Sequence, residues 1–424
     1  MNLTQIKEEI SNGALEKYGH LYCDIPYQTK RFIKALDSFG ELYGKDREVM
    51  VFSVPGRSEI SGNHTDHNLG CVLAGAINRD IIAVAAKNDE GIIRFHSDGY
   101  PEEAVDIQKT DTPLNFKEYT SAALIAGMTR GFLNNGHTVG GYDAYATSEV
   151  LQGSGISSSA AYEVMLGNIL NHLYNGGKIE NTEIAILSKY AENVFFGKPS
   201  GLMDQMACAV GGFVYIDFEN SEAPEVERID FSLSDRGYTM CIVNTGASHA
   251  DLNEDYALIP GEMCAVAKLL GRKTLRGLRE EDIVKNLNNI RRLVGDRAVL
   301  RSLHFLRENE RVGKIKEALK AGDLESFFFG IKESGRSSFE YLQNVYSNSN
   351  VGEQGLSLAL ALTEGYFKNG GAVCRVHGGG FAGTIQLFLK KEDVPGYIKY
   401  INAVFGEGAA EEYSVRPDGA VRLF

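Results

Sequence analysis

The sequence predicts a mixed α/β protein with two domains. Its 424 residues exceed the usual size of a single domain. Segments with apolar residues at helical spacing alternate with short β-rich runs along the chain. The content of 43% hydrophobic and 10% aromatic residues is typical of a globular protein with a substantial core.

The elements of the first half follow from local patterns. Phe32, Leu36 and Phe39 recur at helical spacing, so roughly the first 45 residues are predicted to be mostly helical. Thr182 is predicted to cap a later helix. Strands are predicted at MVFSV (50–54), DIIAVAAK (80–87), GIIRFHSD (91–98), GYDAYATSEV (141–150) and GGFVYIDF (211–218), and helices at 116–133, 156–173 and 181–196.

The second half is predicted to begin with a strand, YTMCIVNTG (238–246). Several helices follow up to Phe367, and strand-like runs flank the triglycine of VCRVHGGGFAGTIQLFL (373–389). We expect an N-terminal domain over 1–234, to which 408–424 returns, and a C-terminal domain over 235–407.

Charge and targeting signals restrict the function classes. The 43 basic and 56 acidic side chains give a net charge of -13, which argues against a nucleic-acid or anionic-membrane partner. The six cysteines form no C-x-x-C pair, so free thiols and a cytoplasmic location are expected. The N-terminal segment turns charged at Lys7, which predicts no signal peptide. Asn78, Arg79 and Asp80 interrupt the apolar run 71–86, so no membrane span is expected.

The segment VPGRSEISGNHTDHNLG (54–70) collects polar groups on a permissive backbone. Glycine allows close approach to a ligand, while aspartate and histidine can bind hydroxyls or carry protons. A surface loop that uses glycine and asparagine for its turns explains the composition equally well.

The segment LQGSGISSSAAYEVMLGNIL (151–170) runs through glycines and serines into an apolar helix. The N–H groups of such a loop and the positive end of the helix suit a phosphate. The segment lacks the lysine and the spacing of a Walker A loop. A capped Gly-Ser linker is the alternative.

Two further segments carry candidate chemistry. AENVFFGKPSGLMDQMACAVGG (191–212) contains Glu192 and Asp204, and two carboxylates near one phosphate site suit phosphoryl transfer. Each carboxylate taken alone is more typical of a solvated surface charge or a helix cap. The triglycine of CRVHGGGFAGTIQLF (374–388) permits close approach to a ligand, or simply a turn between two strands.

Together the four segments resemble the galactokinase branch of the GHMP small-molecule kinases. The motifs PGR…G-x-HTD-x-N, G-x-G-x-SSSAA, AE…G-x-MDQ and GGGFxG occur in the family's order, and the resemblance covers the chain beyond roughly the first 35 residues. It implies a ribosomal-S5-like N-terminal domain, which the C-terminal strand rejoins, and a ferredoxin-like C-terminal domain. ATP and a sugar would bind between the two.

The resemblance also implies individual roles. Asp204 would accept the proton of the sugar's anomeric hydroxyl, and Arg57 would keep Asp204 ionised and offset phosphoryl charge. Magnesium would be held by Glu192 with Ser158 or Ser159. Sugar contacts are implied for Asn63, His64, Asp66, Gly201 and Tyr256, and ATP contacts for Gly153, Ser154, Gly155, Ser157, Ser158, Ser159, Phe116 and Tyr119.

The sequence departs from the family pattern near the sugar site. Asn63 stands where the family has glutamate, the pair Ser58-Glu59 replaces an apolar-Asn pair, and His67 replaces tyrosine. An uncharged Asn63 facing the C6 side of the sugar would tolerate a C6 carboxylate. We therefore expect an ATP-dependent sugar 1-kinase with galactose as the default substrate, active as a monomer or weak homodimer. The alternatives are a related sugar 1-kinase that acts on galacturonate or another hexose, and a non-catalytic galactokinase-like sugar sensor.

Overall fold

The structure, a computed structural model, describes residues 1–150, 155–221, 223–246 and 252–424. Helices and strands alternate along the described chain, as predicted. The helices are α1 (Leu3–Ser11), α2 (Ile25–Tyr43), α3 (Ser121–Asn134), α4 (Ser158–Tyr174), α5 (Asn181–Tyr190), α6 (Met203–Val210), α7 (Asn253–Leu269), α8 (Glu280–Lys285), α9 (Leu287–Val294), α10 (Asp296–Ala321), α11 (Leu324–Ser337), α12 (Gly355–Tyr366) and α13 (Val394–Phe405). The strands are β1 (Met50–Ser61), β2 (Cys71–Lys87), β3 (Ile92–Ser97), β4 (Glu103–Asp106), β5 (Tyr142–Ser148), β6 (Phe213–Asp217), β7 (Glu225–Ile229), β8 (Tyr238–Asn244), β9 (Ala372–His377), β10 (Thr384–Lys390), β11 (Ala410–Tyr413) and β12 (Val421–Arg422).

The strands form two sheets within the described residues. The larger has the order β12-β1-β2-β5-β3-β4, and β6 and β7 continue it from the first part of the long strand β2. Its pairs are antiparallel except β3 with β5. The smaller sheet is antiparallel, with the order β11-β8-β10-β9.

The two faces of the larger sheet are covered by different helices. Helices α3 to α6 enclose the main core on one face. On the other face, α1 and α2 bury Phe32, Leu36 and Phe39 against β1, β2 and β5. Burial of such a side chain contributes about 1.5–3 kcal/mol. The predicted N-terminal helical segment therefore covers this second face of the larger sheet. As a result, β1 is buried over nearly its whole length.

A buried charge cluster ties the N-terminal helices and the C-terminal segment to the sheet. Asp80 of β2 accepts from Arg31 of α2 at 2.6 Å and from Arg416 at 3.2 Å. Tyr22 donates its hydroxyl to Asp80 at 2.8 Å. All three charged side chains are at least nine-tenths buried, so each depends on its partners.

Two helix predictions need correction. Thr182 is not the cap of α5, because the N-cap is Glu180 and makes no side-chain capping bond. The helix predicted over 116–133 begins only at Ser121, where Thr120 accepts from the N–H of Ala123. Capping depends on side-chain orientation as well as on residue type, so residue type alone did not locate the first residues of these two helices.

The strand pairing changes close to the predicted domain boundary. β7 belongs to the larger sheet and β8, the next strand, to the smaller. Near the C-terminus, β11 joins the smaller sheet and β12 pairs with β1 of the larger. The assignment of 1–234 with 408–424 and of 235–407 to separate domains remains a prediction.

Candidate active site

Arg57 and Asp204 form a two-pronged ion pair. Arg57 Nε donates to Asp204 Oδ1 at 2.7 Å, and Nη2 donates to Oδ2 at 2.8 Å. The remaining nitrogen, Nη1, donates to the Gly155 carbonyl at 2.6 Å. Ser157 Oγ also donates to Asp204 Oδ2. The fold thereby brings together three of the four segments singled out in the sequence.

This arrangement fixes the charge of Asp204. Burial raises the pKa of its carboxyl, but the charge and hydrogen bonds of Arg57, with Ser157 and Lys198, outweigh that effect and bring the pKa below its ordinary value. Asp204 is therefore ionised at neutral pH. One third of its side chain is exposed (33%), so a substrate hydroxyl can reach it.

The glycine of PGR brings the serine segment against β1. A Cβ atom at Gly56 would lie 2.7 Å from the Ile156 carbonyl, which only glycine avoids. Arg57 N donates to that same carbonyl at 3.1 Å. The register of β1 against β2 also shifts between Pro55 and Arg57, as at a β-bulge. Arg57 thus sits on a strand rather than on the surface loop that was the alternative.

Strained backbone marks the same region. Ser157 precedes α4 with φ of 60° and makes no capping bond, since its hydroxyl goes to Asp204. His64, Tyr119 and Phe381 also have φ near 60°. Such angles are uncommon for residues other than glycine, and they concentrate at functional sites. Their positions support the assignment of these segments to one site.

Glu192 lies in a wide π-helical turn (Ala191–Phe196) that continues α5. Such turns occur frequently at functional sites. Its carboxylate is buried and accepts from Lys198 Nζ at 2.7 Å, from the Ser200 hydroxyl and from Gln205 Nε2 at 2.8 Å. Lys198 is half exposed.

Sequence reasoning missed a second carboxyl group behind this one. Glu163 of α4 is fully buried, and its Oε2 accepts from Gln205 Nε2 at 3.0 Å. Burial and the nearby Glu192 raise the pKa of Glu163 well above its ordinary value. Glu163 was not predicted because it lies within the apolar periodicity of α4. Gln205, which was also not predicted, could have been found from its place directly after Asp204 in the MDQ motif.

The triglycine segment joins the predicted sugar contacts. The carbonyls of Gly378, Gly379 and Gly380 accept from Asn63 Nδ2 (2.6 Å), the His64 ring (2.9 Å) and the Tyr256 hydroxyl (2.7 Å), in that order. A Cβ atom at Gly379 would lie 2.6 Å from Tyr256 Cε1. The glycines thus permit close approach to protein side chains.

His64 is neutral in this setting. Burial, with smaller contributions from His67 and His304, outweighs the Gly379 hydrogen bond and the Asp66 charge and lowers the pKa of His64 to about 4. Its Nε2 therefore carries the hydrogen donated to Gly379. Nearby, a Cβ atom at Gly201 would lie 2.8 Å from Asp66 Oδ2, so these two predicted sugar contacts adjoin.

Asn63 is fully buried, and its side chain is already occupied. Nδ2 donates to Glu59 Oε1 at 3.0 Å as well as to Gly378, and Oδ1 accepts from Asn344 Nδ2 at 2.6 Å. No amide hydrogen is left for a sugar carboxylate. This geometry favours a positioning role, and direct contact of Asn63 with sugar remains a prediction.

The predicted nucleotide residues fall into four sets. Tyr119, Ser158 and Ser159 line a cavity of about 560 Å³ at the start of α4. Phe116 is not part of that lining and packs against Phe195, with ring centroids 6.4 Å apart. Gly155 and Ser157 meet Arg57 and Asp204, as described above. Gly153 and Ser154 lie outside the described residues.

The described ranges contain no group of three histidine, cysteine or acidic side chains placed to hold a metal ion. No helix there combines the length and apolar character needed to cross a bilayer. All six cysteines lie in the described ranges and are free thiols.

The fold and the site define a small-molecule kinase of the GHMP class. Residues 121–212 match the model of the GHMP kinase N-terminal domain, and residues 37–87 match the galactokinase galactose-binding signature. The chain is 31% identical over 375 residues to the galactokinase of Streptomyces coelicolor, covering 87% of this chain and 92% of that one. It belongs to the galactokinase family and is an ATP-dependent sugar phosphotransferase.

Other relatives agree. The galactokinase of Enterococcus faecalis is 29% identical over 92% of this chain and 99% of its own. The crystal structure of Lactococcus lactis galactokinase with galactose superposes with a TM-score of 0.76 at 23% identity, covering 91% and 98% of the two chains. The crystal structure of Methanococcus jannaschii mevalonate kinase superposes with a TM-score of 0.60 at 14% identity, covering 87% of this chain and 98% of that chain. The expected mixed α/β GHMP kinase fold is confirmed.

Proposed function

We propose that this chain transfers the γ-phosphoryl group of ATP to the anomeric hydroxyl of galactose, giving α-galactose 1-phosphate and ADP. The observation that carries the proposal is the ionised, partly exposed Asp204 held by Arg57. The similarity to galactokinases over most of the chain supports galactose as the sugar.

The proposed step needs one base and one cation from this chain. Asp204 accepts the proton of the anomeric hydroxyl while the sugar oxygen bonds to the γ-phosphorus. The bond from that phosphorus to the β,γ-bridging oxygen breaks, and ADP leaves. Arg57 holds Asp204 as an anion beforehand and offsets charge on the transferring group.

The Glu192 carboxylate and the Ser158 and Ser159 hydroxyls are hard oxygen donors of the kind that Mg²⁺ prefers. Glu192 with Ser158 or Ser159 would hold the ion, since Mg²⁺ prefers hard oxygen ligands and keeps several waters and phosphate oxygens. When bound it would neutralise charge on the nucleotide phosphates. Lys198 now pairs with Glu192, and its half-exposed side chain can withdraw to solvent.

A coupled assay of ADP release over a sugar panel tests the proposal. Galactose should give the highest kcat/KM, with ADP and sugar phosphate formed in equal amounts. Preference for galacturonate would favour the alternative kinase, and binding without ADP release would favour a sensor.

We further propose that the protein is cytoplasmic, because the cytoplasm supplies ATP and keeps thiols reduced. We also propose that it acts as a monomer or weak dimer.

A further inference from the structure

Two residues that depart from the family pattern are in direct contact. Asn63 Nδ2 donates to Glu59 Oε1 at 3.0 Å. The resemblance described above implies an amide at position 59 and a carboxylate at position 63. This chain would then carry the same two groups in exchanged positions.

The carboxylate of Glu59 is anchored away from solvent. Arg375 Nη2 donates to Glu59 Oε1 at 3.0 Å, and Arg375 Nη1 donates to the Ile60 carbonyl at 2.6 Å. Both charged side chains are at least nine-tenths buried, and a buried arginine requires such a partner. The charge thus lies between β1 and β9.

The amide of Asn63 holds the triglycine segment. It donates to the Gly378 carbonyl, while Asn344 Nδ2 donates both to Asn63 Oδ1 at 2.6 Å and to the Gly379 carbonyl at 3.0 Å. Asn344 is fully buried, and its Oδ1 has no hydrogen-bond partner among the described residues. Amides therefore fix the Gly378 carbonyl and also the Gly379 carbonyl, which the His64 ring contacts as well.

A glutamate at position 63 alone would be incompatible with this network. It has no N–H to donate to Gly378 and would place a second carboxylate against Glu59 in a buried setting. An asparagine at 59 alone would leave Arg375 without its anion. Positions 59 and 63 are therefore coupled through their direct contact.

We propose that Glu59, Asn63 and Asn344 form a positioning unit that sets the triglycine segment, and through it His64 and Tyr256, for sugar binding. This inference rests on the proposed function. The unit acts on the sugar site and leaves the nucleotide cavity at the start of α4 untouched.

A double-mutant cycle with Glu59→Asn, Asn63→Glu and their combination tests the unit. Each single change should raise the KM for galactose about tenfold or more, and the combined change should raise it by clearly less than the product of the two single effects, as expected for contacting members of one network. Full recovery is not expected, because a glutamate at position 63 cannot donate to the Gly378 carbonyl. The KM for ATP should not change. The matched control exchanges the amide and the carboxylate of Asn88 and Asp143. This pair has an N–O distance of 2.9 Å and lies outside the site segments, so the exchange should change neither KM value.

Additive effects in the cycle, or equal changes in both KM values, would overturn the unit. If a single variant does not fold, Asn344→Ala gives a second test, because it removes two donated hydrogen bonds without adding charge. It should raise the KM for galactose alone, and an unchanged value would refute the proposal. If the wild type phosphorylates galactose and the effects of the variants are additive, only the proposed positioning unit is overturned. If the wild type is inactive on every sugar, both the proposed function and the positioning unit are overturned.

Discussion

The guanidinium of Arg57 meets the carboxylate of Asp204 edge to edge, with both N–O distances below 2.9 Å. Paired nitrogens and oxygens fix the orientation of a carboxylate as well as its charge. Asp204 is therefore held both ionised and aimed before any substrate arrives.

We expect Asp204→Asn to reduce phosphorylation by about 10²–10⁴-fold, the usual cost of losing a general base. Sugar binding should change little, whereas Tm should fall, because an amide can accept only one of the two Arg57 hydrogen bonds and leaves the buried guanidinium without its anion. Steady-state rates with calorimetry for the sugar check this. The control Asp143→Asn removes another buried aspartate that pairs with arginines, Arg47 and Arg94, and should lower Tm without a comparable loss of kcat. A near wild-type rate for Asp204→Asn would rule out its role as base.

The pH profile should report the ion pair. Because the pKa of Asp204 lies below the ordinary value, kcat/KM should stay high as pH falls to about 4, the ordinary range for aspartate. Arg57→Gln removes the charge that opposes burial, so the pKa of Asp204 should rise. The acid limb of kcat/KM should then move to higher pH, in addition to a lower maximum rate. A limb that does not move would mean that Asp204 titrates independently of Arg57.

Glu192→Gln should raise the Mg²⁺ concentration needed for half-maximal rate and leave sugar affinity unchanged, because an amide is a weaker ligand for a hard cation. Rates over a Mg²⁺ titration and calorimetry with galactose measure the two effects. Glu163→Gln is the matched control, since Glu163 contacts the same Gln205 but lies behind the site. Equal losses of metal response and sugar affinity would contradict a metal role for Glu192.

Gly379→Ala should raise the KM for galactose and not that for ATP. The new Cβ atom would lie 2.6 Å from Tyr256 Cε1 and must displace that ring, whose hydroxyl now donates to Gly380. Gly365→Ala on α12 is the control, because its Cβ atom meets nothing within 4 Å. Identical sugar kinetics in the two variants would show that the Tyr256 contact does not serve the sugar site.

Asp80→Asn should destabilise the fold by about 3–5 kcal/mol, the range for removing one partner from a buried ion pair, because Arg31 and Arg416 lose their anion. Burial raises the pKa of Asp80, but these two arginines bring it below the ordinary value. The stabilisation of the fold by ionised Asp80 is therefore present above about pH 4 and is lost as the pH falls through the lowered pKa. Denaturant unfolding at pH 7 and pH 3 measures both effects. Asp418→Asn, at the exposed pair with His20, should have little effect at pH 7.

The sequence by itself determined the alternation of elements, the family and the segments that carry the chemistry. Apolar periodicity and glycine-rich motifs are local properties, so Ser158, Glu192 and Asp204 could be singled out before any fold was known. Arg57 could be paired with Asp204 only through the family resemblance, because 147 positions separate them and no local pattern encodes that contact.

Tertiary structure decided which polar groups remain available to a ligand. The family resemblance implies that Asn63 offers its amide to a sugar, yet Glu59, Gly378 and Asn344 take up its hydrogen-bonding capacity. Glu163 is concealed within an apolar helix, and Thr182 is not used as a cap. The reason is that hydrogen-bond partners and desolvation depend on residues distant in the sequence, and only the packed chain brings them together.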